Sequence, residues 1–159
     1  MDDIDLTHLT PQSDSLRNAI DLNNLVFNIS TLSSIEGDNI GVDGRKSTQP
    51  DYSHQLAMWA DTNQLVKLTN HEKPIVRVLA FGALLEKKYT RIKDIFISHL
   101  SDEATCNFYS GCMIDPVPVN IIYYQVVSSW LTLKENQYYK KLLINEYKNT
   151  GFWWKVQYL

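Results

Sequence analysis

The run from Pro74 to Leu85 constrains this chain more than any other stretch. Arg77 is its only charged residue. Proline fits the first turn of a helix, where its missing N–H has no partner to lose. Behind it, Val76, Leu79, Ala80, Ala83 and Leu84 recur at the spacing of one helical face. Ile75, Val78, Gly82 and Leu85 widen that face until little is left for water. A helix that is apolar nearly all round must be covered on more than one side. This one is far too short to span a membrane. The sequence therefore predicts a central helix over 74–89 with other helices packed on both flanks.

The same residues carry a resemblance. Pro74-x-Val76-Arg77-x-x-Ala80-x-x-Ala83-Leu84 resembles the second helix of a HEAT repeat, the helix-turn-helix unit of α-solenoids. The resemblance implies that residues 61–69 form the first helix of the unit, that the small residues pack inside, and that Arg77 ties this unit to the next. It covers a single repeat, and no second Val-Arg pair follows. The implied fold is all-α, about six helices in antiparallel pairs, a short and degenerate HEAT-like array. The whole chain also resembles small bacterial helical proteins with no assigned activity.

With 159 residues the chain is long enough for one helical domain with a real core, spanning 1–159. Its net charge of -3 carries no basic excess. The densest basic cluster, Glu86 to Arg91, falls at a helix end, where cations complement the helix dipole. Nucleic acid is therefore not an expected partner. Cys106 and Cys112 do not make a disulfide framework. The first residues, Met-Asp-Asp-Ile-Asp, hold no apolar run, so neither a secretion signal nor a membrane anchor is expected. The expected compartment is the cytoplasm, unless a leader has been removed.

Read in order, residues 1–13 form a loose polar lead-in. Ser13 or Asp14 caps a helix to about Ile35. Leu16, Ile20 and Phe27 lie on one stripe of it, with Leu22, Leu25, Val26, Ile29 and Leu32 beside them. Residues 36–51, glycines and a proline within a polar run, read as a long loop. Gly37, Gly41 and Gly44 lack the strand and the Gly-Lys-Ser/Thr ending of a phosphate-binding loop. Asp38 and Asp43 lack the spacing of a calcium loop. Helices follow over Tyr52–Ala60 and, from an Asp61-x-x-Gln64 capping box, to near Asn70. Beyond the central helix, Thr90 caps a helix to Leu100. Residues 101–117 show no clear pattern, because Ser110-Gly111, Pro116 and Pro118 interrupt it. Val119, Ile122, Tyr123, Val126, Val127 and Trp130 then recur at helical spacing. Thr132-x-x-Glu135 caps a last helix that turns Tyr139, Leu142, Leu143 and Tyr147 inward. The aromatic tail 150–159 is expected to dock on the helices, since burying tryptophan outweighs ordering a few residues.

Candidate chemistry is sparse. Cys112 sits in a turn-like Ser110-Gly111-Cys112-Met113, and His99 is its candidate base. A cysteine acts only as thiolate, so it needs such a base and access. The competing reading of Cys106 and Cys112 is a small buried apolar side chain. His54, His71, His99 and Cys112 are the possible metal ligands, but none has the i, i+4 pairing of a zinc helix, so no metal is expected. Asp94, Asp102, Glu103 and Asp115 act as acids or bases only if two of them converge. Arg77, on an apolar helix, must reach solvent or a partner, and Asp102 or Glu103 is the natural one. An anion-binding arginine is the alternative. Trp59, Tyr109, Tyr124, Tyr138, Trp153 and Trp154 exceed what a core face demands and read either as core or as interface anchors.

No catalytic signature and no cofactor motif emerge, so an enzyme is not expected. The expected function is a protein-interaction or scaffold module that takes a protein or peptide in the groove between helix rows. One alternative is a small-ligand protein or enzyme using Cys112 and His99. Another is a structural subunit that forms an obligate homodimer through the aromatic tail.

Overall fold

The computed structural model describes residues 11–150, with side chains from Asp21 onward apart from Asp38, Ser110 and Thr150. The aromatic tail with Trp153 and Trp154, most of the lead-in, and the side chains of Leu16 and Ile20 lie outside what is described. Among the described residues the chain is mixed α/β, which overturns the all-α expectation. The elements run α1 (Pro11–Ser30), β1 (Ile35–Ile40), β2 (Arg45–Lys46), α2 (Tyr52–Trp59), α3 (Thr62–Leu68), α4 (Pro74–Glu86), α5 (Ile92–Ser98), β3 (Thr105–Gly111), β4 (Met113–Pro118), α6 (Val119–Ser128) and α7 (Leu133–Thr150).

α4 is the centre. Ile75, Val76, Val78, Leu79, Ala80, Phe81, Ala83, Leu84 and Leu85 are all buried. α1, α2, α3, α5, α6 and β3 all pack against it. Phe81 stacks flat on Tyr123 of α6, with ring centroids 3.9 Å apart. Phe96 of α5 meets Tyr139 of α7 edge-on at 5.2 Å. Aromatic pairs of this kind add about 1 kcal/mol beyond the area they bury.

The HEAT-like array is overturned as well. α3 and α4 do form the expected helix pair, but the chain continues through one short helix into a β-hairpin, not into a second pair. The Pro-x-Val-Arg pattern is what any helix needs if it starts at a proline and is buried on several sides. It marks burial, not repetition.

Two stretches account for the sheet. Residues 36–46 are not a loop, since β1 turns through Gly41-Val42-Asp43-Gly44 into β2, and 47–51 lack regular structure. Gly41 and Gly44 take the positive φ values, +79° and +63°, that the tight reversal requires. Residues 105–118 form a hairpin, β3 and β4, that reverses at Gly111-Cys112 with Gly111 at φ +54°. The strand order is β2-β1-β3-β4. β1 and β3 run parallel, and the other two pairings are antiparallel.

Two helical stripes also depart from expectation. α1 ends at Ser30, so Leu32 and Ile35 belong to the turn and to β1. Leu22 and Ile29 are buried, whereas Phe27 is exposed. α6 stops before Trp130, which is exposed in the turn beyond it. Among the described residues no helix is long and apolar enough to cross a membrane.

The end of α4 is held without the usual glycine. Tyr89 N–H donates to the Leu84 carbonyl at 3.0 Å and Lys88 N–H to the Leu85 carbonyl at 2.8 Å. These are the paired bonds of a Schellman ending, which puts Lys88 in the left-handed region at φ 55°. Replacing Lys88 with glycine removes a clash of Cβ with the backbone and should stabilise the protein by about 1 kcal/mol. Lys88→Val should destabilise it. Urea unfolding of both variants checks the pair of signs.

Candidate functional site

Arg77 organises the polar interior. It leaves α4 toward the turn after α5, where Nη2 donates to Asp102 Oδ1 at 3.0 Å. Nε lies 3.0 Å from Oδ2, but its N–H is not aimed at that oxygen, so this contact is coulombic. Nη1 donates to the His71 carbonyl at 2.8 Å. Of the two expected partners, Asp102 therefore takes the guanidinium; Glu103 stands beside it in the same turn. His99 Nδ1 is 3.4 Å from Asp102 Oδ2, and the imidazole is only 8% exposed. Tyr123 donates its hydroxyl to the Arg77 carbonyl at 3.0 Å. Asn120 donates to the Leu100 carbonyl at 2.7 Å and accepts from the Tyr147 hydroxyl at 2.6 Å. Helices α4, α6 and α7 and the turns before α4 and after α5 are joined by this network.

Burial acts on Asp102, Tyr123 and Tyr147. It would raise the Asp102 carboxyl, but the hydrogen bond with His99, the charge of Arg77 and the Ala104 N–H together hold it below its ordinary 3.8. Burial raises the Tyr123 phenol, and pushes Tyr147 up to about 12. Both tyrosines are therefore neutral donors at physiological pH. Each side chain in the network has at least one hydrogen-bond or ion-pair partner inside the protein, although the Arg77 Nε–H has no aligned acceptor, which is the arrangement of a structural clamp.

The cysteines and histidines do not converge. Cys106 lies on β3 with its side chain buried, and burial pushes its thiol up to about 11. Cys112 is exposed at the tip of the hairpin. His99 sits beside Asp102, near the start of β3, whereas Cys112 sits at its far end. Seven strand residues separate these ends by about 20 Å, beyond the reach of a base. His54 Nδ1 lies 2.6 Å from Glu86 Oε1 on the outside of α2 and α4. His71 Nδ1 accepts from Lys73 N–H at 3.1 Å in the turn before α4. Among the described residues no three of His, Cys, Asp and Glu form a group able to hold a metal ion. Asp94 pairs with Arg91 at 2.8 Å, and Asp115 is exposed on β4. Of the surplus aromatics, Tyr124 is buried, Tyr109 is half-buried, and Trp59 and Tyr138 are exposed.

The feature left without an internal role is the sheet's outer face. Cys106 pairs with Val117, and both side chains are buried in the core with α4 and α6. The register then puts Asn107 opposite Pro116 and Tyr109 opposite Ile114 on the other face, with Glu36 beside Tyr109. Ile114 is 58% exposed, and Met113 next to it 63%. The β1–β2 turn reaches the same end of the sheet, because Gly41 N–H donates to the Gly111 carbonyl at 2.6 Å. Val42 at that tip is 96% exposed. Pro116 and Pro118 remove N–H donors from the open edge of β4. That is a usual guard against strand addition, so it is the face and not the edge that is left open.

No protein-family profile, curated protein or solved structure matches the chain. Ile114, Met113 and Val42 were not singled out by sequence. The signal that finds Ile114 and Met113 is the pair of short runs 105–110 and 113–118 around Gly111-Cys112, a hairpin pattern, and the signal for Val42 is the Gly41-Val42-Asp43-Gly44 turn.

The clamp and the cysteines each give an expectation. Asp102→Ala leaves a buried guanidinium unpaired and should cost about 3–5 kcal/mol. The folded Asp102 carboxyl titrates below its unfolded value of 3.8, so its stabilisation is complete above that value and is lost as pH falls through the lower folded pKa. Arg77→Met should therefore lose most stability at neutral pH, where Asp102 is ionised, and its deficit relative to the parent should narrow as pH falls through that window, read by urea unfolding followed by circular dichroism. Separately, a thiol reagent should modify Cys112 in the native protein and Cys106 only after unfolding. Modification of both in the native protein would contradict the burial of Cys106.

Proposed function

We propose that the protein is an interaction module that receives an apolar surface of another protein on the outer face of its sheet. The observation that carries this reading is the set of Tyr109, Ile114 and Pro116 on that face, exposed or half-exposed, next to the exposed Met113 and Val42 at the hairpin ends. An exposed apolar cluster, unlike a single exposed apolar side chain, marks a contact surface. Tyr109 has the size and the polar tip that interface anchors share. The face is held rigid from behind by Cys106 and Val117 in the core, so a partner meets a surface that does not need ordering first. The expected groove between helix rows does not serve, because the helices are not stacked in rows.

The test is affinity capture with the tagged chain and two charge variants. Ile114→Lys should lose the partner that the parent chain retains. Its stability should change by no more than about 0.5 kcal/mol, since the side chain is exposed. The comparison variant is Leu133→Lys, which alters a separate exposed apolar spot beside Trp130. It should retain the partner. Loss with Leu133→Lys and retention with Ile114→Lys would move the contact to the turn between α6 and α7 and overturn the assignment.

A further inference from the structure

The segment after β2 returns along the start of β1 and walls a cleft of about 390 Å³ between the sheet and the beginning of α2. The walls are pinned from within. Gln49 acts as a piece of strand: its Nε2 donates to the Ser34 carbonyl at 3.0 Å, and its Oε1 accepts from Glu36 N–H at 2.9 Å. Ser47 Oγ donates to Glu36 Oε2 at 2.6 Å and accepts from Gln49 N–H at 3.0 Å. On the opposite wall, Ser53 Oγ donates to the Leu79 carbonyl at 3.1 Å. A cleft fixed this way has little to order when something enters it.

Its chemistry is divided. Ile35, Pro50 and Leu79 give apolar lining. Glu36 has one oxygen held by Ser47, and Asp51 has one held by the His54 N–H at 3.0 Å, so each carboxylate keeps an oxygen to offer. Lys46 and Tyr52 line the same cleft, and neither side chain hydrogen-bonds to a described residue. Acceptors for an ammonium group, donors for a carboxylate, and an apolar lining are thus gathered in a space near the small end of ligand cavities.

We propose that this cleft binds a free α-amino acid with an apolar side chain. The ammonium group lies on Glu36 and Asp51, the carboxylate on Lys46 and Tyr52, and the side chain on Ile35, Pro50 and Leu79. A ligand with only one of the two charges leaves half of these groups without a partner, which costs affinity. This site meets the outer face of the sheet at Glu36, across Tyr109 from Ile114, but it does not depend on the interaction reading.

The experiment is a nuclear magnetic resonance titration of the whole chain with L-leucine and L-phenylalanine, each beside its N-acetyl and amide derivatives. Backbone amides at 35–37, 46–49 and 51–53 should shift and saturate, with a dissociation constant of about 1 mM or tighter. The N-acetyl and amide forms should bind at least about tenfold more weakly. Glu36→Gln keeps an acceptor for Ser47, and Tyr52→Phe keeps the ring, so both should fold while weakening the free amino acid about tenfold. Absence of saturable shifts at those amides would overturn the proposal. So would equal binding of the N-acetyl and amide forms, or unchanged affinity in both variants.

Discussion

Everything in this fold answers to the covering of α4. A helix with apolar residues on nearly every side gains from burial only if neighbours arrive from several directions, at about 25 cal/mol for each Å² of apolar surface removed from water. α1, α2 and α3 supply part of that cover, and α5, α6 and β3 the rest. The one charged residue of the helix then becomes a constraint on the chain that follows. Arg77 fixes Asp102, and Asp102 fixes the turn: its carboxylate accepts from Ala104 N–H at 3.3 Å, and its carbonyl accepts from Asn120 N–H at 3.1 Å. Those two bonds set where β3 departs and where α6 begins. The hairpin between them is placed by the clamp, and its far end projects away from the helices.

The clamp is better understood as a device for position than as a large source of stability. A buried ion pair gains little over an apolar pair of the same volume, yet losing one partner is costly. That asymmetry penalises any arrangement in which residues 101–104 sit elsewhere. Surface pairs such as Lys93 with Glu135 act differently. The hydrogen bond from Lys93, with those from the Thr132 backbone and hydroxyl, holds the Glu135 carboxyl down to about 2, but solvent screens the pair and its main effect is to orient the start of α7.

Helices with strong signals were legible in the sequence. α4, the Asp61-Gln64 and Thr132-Glu135 capping boxes, and the inward Tyr139, Leu143 and Tyr147 all follow from local patterns that the tertiary structure keeps. The strands were not, and the reasons are physical. Pro116 and Pro118 break helices, and read as breakers they hide a strand, although an edge strand tolerates proline. β2 has only two residues, and the loop before it is rich in glycine, so it offers no alternation to detect. The HEAT resemblance then gives no reason to look for strands in 36–51, read as a loop, or in 101–117, which show no clear pattern. For the candidate site, Tyr109 stood out as a surplus aromatic, but Ile114 and Val42 gain meaning only from the register that places them beside it. Arg77 demanded an acid from the sequence alone; that Asp102 and not Glu103 faces the guanidinium depends on how the turn after α5 is held.

In the proposed reading, α4 and its clamp hold a sheet with one face buried and the other open to a protein partner. Site-specific photo-crosslinking tests it most directly. A photoreactive side chain at position 114, on the open face, is compared with one at position 134, on exposed α7. In cells of the source organism, position 114 should give a discrete adduct that position 134 does not. Equal adducts from both positions, or an adduct from 134 alone, would contradict the account.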